Sequence, residues 1–189
     1  MPSTLKDKAK DKAKDAESRV ATPDLVTGAR VDYEVEVALS PERMWDLVTD
    51  VSRIGEWSPE TVYSAWLGAE SGWRRAGGRF VARNQYTPEL SAEVVCVVTE
   101  SERPRVFAWA VADDDGTVEH AGSLWRYEFR PGGSPDRTLV RQTFEHGPGD
   151  TGLRVAVERD PERVEVILRD RLDRLRGNMA ATIAAMTRS

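Results

Sequence analysis

Along residues 31–39 apolar and polar side chains alternate: Val31, Tyr33, Val35, Val37 and Leu39 are separated by Asp32, Glu34, Glu36 and Ala38. A period of two belongs to a strand with one buried and one wet face, so a first strand is predicted here. Ser40-Pro41-Glu42 follows and has the chemistry of a helix start. It offers a hydroxyl to accept from orphan N–H groups, a proline preset for the first turn and an acid at the positive end of the dipole. Met44, Trp45, Leu47 and Val48 supply the apolar face of that helix, and Asp50-Val51-Ser52-Arg53 breaks into a second short helix ending near Trp57-Ser58-Pro59.

Six more strand-like segments follow, at about residues 61–67, 79–86, 91–100, 105–112, 119–130 and 138–146, separated by Gly, Pro and Asp clusters. On the third strand Phe80, Ala82, Asn84 and Tyr86 share a face; on the sixth, Trp125, Tyr127 and Phe129 do. No helical pattern interrupts this run after residue 60, which favours an antiparallel meander over parallel βαβ units. Residues 69–76, around Trp73, read as a loop at the rim of the sheet. Residues 147–160 read as irregular chain crossing its open end. Asp160-Pro161-Glu162 then repeats the helix-start logic, and Val164, Ile167, Leu168, Leu172, Leu175, Met179, Ile183 and Met186 recur at steps of three and four. One long amphipathic helix is predicted. Gly177 inside it costs about 1 kcal/mol relative to alanine, so a neighbour approaching closely is expected there.

Residues 4–19 are rich in Lys, Asp and Ala without an apolar stripe, and Val20 to Arg30 contains Pro23 and Gly28. Residues 1–30 therefore read as a disordered charged tail and linker, leaving 31–189 as one domain. The net charge of −5 and pI near 5.2 argue against a nucleic-acid partner, which needs a concentrated basic surface. Absence of an eighteen-residue apolar run or an apolar signal core argues against integral membrane association and makes a cytoplasmic location the expectation. Cys96 is the single cysteine, within Val94-Val95-Cys96-Val97-Val98; it reads as a buried thiol rather than a nucleophile.

Candidate chemistry is sparse. The two histidines, His120 and His146, fall at strand ends, where exposure is the ordinary state. No two-histidine metal spacing and no Gly-x-Ser-x-Gly elbow occurs, and Asp113-Asp114-Asp115-Gly116 lacks the further acceptors of a calcium loop. No metal, no cofactor and no catalytic residue is assigned.

Several stretches carry a family likeness: Ser40-Pro41-Glu42 with Trp45, Asp50 through Trp57-Ser58-Pro59, Gly78-Arg79-Phe80 with Asn84, Pro104-Arg105 through Phe107-Ala108-Trp109, Trp125-Arg126-Tyr127, and the closing helix. In this order and spacing the chain resembles the START/Bet v 1-like (SRPBCC) superfamily, and within it the polyketide cyclase/dehydrase-like group, over roughly residues 30–187. The resemblance implies an α+β helix-grip fold. In it a curved seven-stranded antiparallel sheet wraps around a long C-terminal helix, with two short helices after the first strand, and encloses a cavity for an apolar small molecule. Strand parity together with the likeness gives Trp57, Trp66, Phe80, Asn84, Tyr86, Trp109, Trp125, Tyr127, Asn178 and Met179 as candidate cavity residues, although aromatics on such strands serve equally as core. The implied function is binding of a hydrophobic lipid-like or polyketide-like molecule as carrier or sensor. The alternatives are a polyketide cyclase/dehydrase-type enzyme, with Arg83, Tyr127 or His146 moving a proton, and a protein-interaction module with a filled core. The sequence leaves oligomeric state open.

Overall fold

The computed structural model describes residues 24–68 and 74–189. The charged tail up to residue 23, and residues 69–73 of the loop around Trp73, lie outside the described residues.

The first strand, β1 (Arg30–Val37), leads into helix α1 (Pro41–Thr49), a 3-10 turn (Val51–Arg53) and the one-turn helix α2 (Ile54–Trp57). Ser40 caps α1 by accepting from the Arg43 amide at 3.3 Å. Six strands follow: β2 (Thr61–Leu67), β3 (Arg79–Thr87), β4 (Leu90–Glu102), β5 (Val106–Val111), β6 (Ser123–Pro131) and β7 (Thr138–His146). All neighbours pair antiparallel in one sheet of order β1-β7-β6-β5-β4-β3-β2. Consecutive hairpins thus build the sheet, and only β1 crosses over, to pair with β7.

The predicted architecture holds, with two corrections. The sixth strand starts at Ser123 rather than near Glu119, because the chain from Asp113 to Gly122 is a longer connection. Residues 152–159, read as irregular, form helix α3 (Gly152–Arg159), capped by the Thr151 hydroxyl accepting from the Arg154 amide. A 3-10 turn (Pro161–Arg163) then opens the closing helix α4 (Val164–Met186).

Gly147 and Gly149 set the path between β7 and α3. A Cβ on either would stand 2.0–2.1 Å from the Ala121 or His120 carbonyl oxygen, so only glycine lets this loop press against the 120–122 segment. Gly177 is different. A Cβ there meets nothing within 4 Å, so the close approach expected at this position does not occur.

Packing divides the molecule into two ends. At one, Trp45 stands edge-on to Phe107 and Phe129, and Met44, Val48, Val51, Val98, Ile183 and Met186 complete a closed core. Along α4 the fully buried residues are Leu175, Met179, Thr182, Ile183 and Met186, all in its C-terminal half, and α3 has none. The helices at the other end therefore roof the sheet without filling it.

Candidate functional site

The concave face of the sheet is an aromatic ladder built by period-two alternation on four strands. Phe80 on β3 meets Trp109 on β5 at 5.8 Å; Trp109 lies parallel to Trp125 on β6 at 5.9 Å; Trp125 meets Phe144 on β7 edge-on at 4.7 Å; Phe144 meets the His146 ring at 4.6 Å. Spacings of this kind are those of attractive aromatic pairs. Between this ladder and the roof of α3 and α4 lies a cavity of about 1260 Å³. That exceeds the usual range of small-molecule pockets. The interior is not filled, whereas the interaction-module alternative requires a filled core.

Eight of the ten residues named from the sequence stand on its wall: Phe80, Asn84 and Tyr86 from β3, Trp109 from β5, Trp125 and Tyr127 from β6, Asn178 and Met179 from α4. The other two stand elsewhere. Trp57 is buried in the closed core, with the Arg53 guanidinium 4.7 Å from its ring centre, and Trp66, directly opposite Phe80 in the β2–β3 register, packs edge-on against that ring at 5.4 Å. Arg83 faces outward and pairs with Glu93 at 3.2 Å. Cys96 is buried and its thiol is pushed up to about 12 by burial, which makes it a poor nucleophile.

Sequence reasoning missed the charged pair that enters the cavity. Glu60, just before β2, receives two hydrogen bonds from Arg171 of α4, at 2.8 and 2.9 Å, and a third from the Asn178 amide at 3.1 Å. The Arg171 guanidinium also lies 5.7 Å from the Tyr86 ring centre. Burial, and next the Glu60 charge, hold the Tyr86 hydroxyl above its ordinary pKa. Asn84 accepts from the Thr61 hydroxyl at 2.8 Å. A second arginine, Arg154 of α3, donates to the Gly147 and Gly149 carbonyls, each at 2.9 Å, and to Asp24 at 2.9 Å. It fastens the roof to the loop after β7 and to the segment entering β1.

Contrary to its sequence reading as an exposed strand end, His146 is only 4% exposed, and neither ring nitrogen has a hydrogen-bond partner. Burial, with Arg171 and Arg154 adding to it, lowers its pKa to about 4. Gln142, on the same face of β7 and also buried, leaves its Oε1 unpaired. Burial likewise raises the Tyr127 hydroxyl far above the ordinary range. At neutral pH the cavity thus presents uncharged His, Gln and Tyr groups beside an internally neutralised Glu60–Arg171 pair. Such a stretch of wall can stack rings and exchange hydrogen bonds, while the exposed charges of Asp114, Asp115, Asp150, Asp170 and Arg174 also border the cavity.

Among the described residues, no helix is long and apolar enough to cross a membrane. Residues 28–180 match the family described as polyketide cyclase/dehydrase and lipid transport. Among solved structures, a polyketide-cyclase-like protein from Corynebacterium glutamicum is 25% identical, with a TM-score of 0.57 over 87% of this chain and 91% of that one. An aromatase/cyclase from a Streptomyces species is 18% identical, with a TM-score of 0.58 over 84% and 90% of the two chains. A START superfamily protein from Mycobacterium smegmatis is 20% identical, with a TM-score of 0.50 over 77% and 98%. At such identities the last two share the fold alone. No curated protein matches the chain.

Proposed function

This chain belongs to the polyketide cyclase/dehydrase and lipid transport family, and from that premise we propose that it binds a hydrophobic, lipid-like or polyketide-like small molecule in its internal cavity, as a carrier or sensor. The observation that carries this reading is the cavity of about 1260 Å³ walled by Phe80, Trp109, Trp125 and Phe144. Apolar wall of that extent favours burial of an apolar ligand at roughly 25 cal/mol per Å² removed from water. The ligand residues are the eight wall positions named from the sequence, joined by Gln142, Phe144 and His146.

Binding is preferred to catalysis on the strength of the titrating groups. A histidine with a pKa near 4 is a weak base at neutral pH, and a tyrosine held above its usual range is a weak acid. Cyclase-type chemistry in the same cavity would have to rely on positioning the substrate.

The test is native mass spectrometry of the purified protein, paired with titration of an uncharged apolar fluorescent dye, Nile red. One saturable dye site is expected, lost on filling the cavity by Ala92→Trp. Dye binding that neither saturates nor responds to that substitution overturns the proposal.

A further inference from the structure

The β6–β7 part of the cavity wall is ordered in a way the rest is not. Three cross-strand pairs follow one another on the inward face: Tyr127 opposite Gln142, Trp125 opposite Phe144, and Ser123 opposite His146. The middle pair is aromatic and in ring contact. Both flanking pairs are polar and buried, and no side chain in either has a hydrogen-bond partner among the described residues; Gln142 Oε1 and both His146 nitrogens are unpaired outright. Leaving a buried polar atom unpaired costs about 1–3 kcal/mol, so Gln142 at one end of the strip and His146 at the other call for an occupant that supplies the missing partners.

Building on the cavity-binding reading, we propose that this strip is a two-ended recognition site for a flat, uncharged ring system carrying an oxygen function at each end. One oxygen sits between Tyr127 and Gln142, the other between Ser123 and His146, and the rings lie against Trp125 and Phe144. Each polar pair combines donors and acceptors, which suits a hydroxyl or a hydroxyl beside a ketone. The buried ions nearest the strip are already partnered. Arg171 is taken by Glu60, and Arg154 by two carbonyls and Asp24, so neither is free for a carboxylate or phosphate. Both Glu60 oxygens are engaged, so an amine finds no acid there. Length follows from the strand. Four residues separate Gln142 from His146, about 13 Å at roughly 3.3 Å per residue, so oxygens on the order of 8–12 Å apart reach both ends. An acyl chain with one polar head satisfies a single end.

Titration of the full chain by quenching of tryptophan fluorescence, with anthraquinone, 2-hydroxyanthraquinone, 2,6-dihydroxyanthraquinone and palmitate, tests this. Affinity is expected to rise about five- to tenfold with each hydroxyl. Gln142→Leu and His146→Phe are each expected to bring the dihydroxy compound down to the level of the monohydroxy one, with an unchanged circular dichroism spectrum and a cooperative thermal transition certifying that the variants fold. Should either variant fail to fold, the ligand series on the unaltered protein decides. Equal affinity for all three ring compounds, or palmitate binding tighter than any of them, overturns the two-ended strip and leaves the cavity reading standing. Failure of every probe, palmitate included, overturns both.

Discussion

Glu60 and Arg171, 111 residues apart in the chain, face each other through two parallel hydrogen bonds of 2.8 and 2.9 Å between the start of β2 and the middle of α4. Their side chains are 14% and 19% exposed, so water screens them poorly. This pair ties the far edge of the sheet to the helix that roofs it. Glu60→Gln leaves the Arg171 charge without its counterion and is expected to cost about 2–3 kcal/mol in urea denaturation. Arg171→Met added to Glu60→Gln is expected to restore at least half of that, because no unpaired charge then remains.

Gly177 is exposed on α4, without positive φ and with open space where a Cβ would stand. Gly177→Ala is therefore expected to stabilise the protein by about 0.5–1 kcal/mol through backbone entropy, read as a higher denaturation midpoint at unchanged slope. A loss of stability would mean that a partner or a bend not visible in the helix geometry needs the glycine.

His146 is held neutral by burial, with Arg171 on α4 and Arg154 on α3 facing it. Its folded pKa of about 4 lies below the value of 6.5 it starts from, so the unfolded chain takes up this proton first as pH falls. The contribution to stability is intact above about pH 6.5 and is lost between there and pH 4, on the order of 3 kcal/mol at the end of the range. Histidine ring resonances followed by NMR, assigned with His120→Gln, should show His146 titrating near pH 4. A midpoint near 6.5 would place the ring in open water.

Arg154 joins α3, the loop after β7 and Asp24, and its partnership with Asp24 keeps that carboxylate well below the usual range. Arg154→Met should speed amide hydrogen exchange in residues 24–28 and 147–159 several-fold, with β3 to β5 unaffected. Uniform acceleration across the sheet would show that this contact supports the whole fold rather than the roof alone.

Strand order, the capped first helix and the closing helix were legible because each repeats a period over many residues, and one buried face per strand enforces it. The eight cavity-wall residues followed from strand parity taken together with the family likeness. What escaped detection was short or non-local. Helix α3 has eight residues, too few for a clear stripe, behind a glycine-rich lead that looks like loop. Glu60 and Arg171 carry no local signal, because nothing in either neighbourhood points to the other. His146 reads as a strand end in water, yet the loop that buries it depends on Gly147 and Gly149 pressing against carbonyls of residues 120 and 121. Trp57 and Trp66 show the converse: Trp57 stands on a helix, where strand parity says nothing, and Trp66, on the same face as Phe80, spends its ring packing against it.

The uneven seating of α4 has a consequence for how such a chain can change. Its last three turns bury Leu175, Met179, Ile183 and Met186 and resist replacement, while the first turns bury no side chain fully and, the Arg171 ion pair apart, carry little of the stability. Substitutions there alter the shape and polarity presented to a guest at small thermodynamic cost. One half of a single helix is thereby free to drift toward new cargo while the other keeps the scaffold intact.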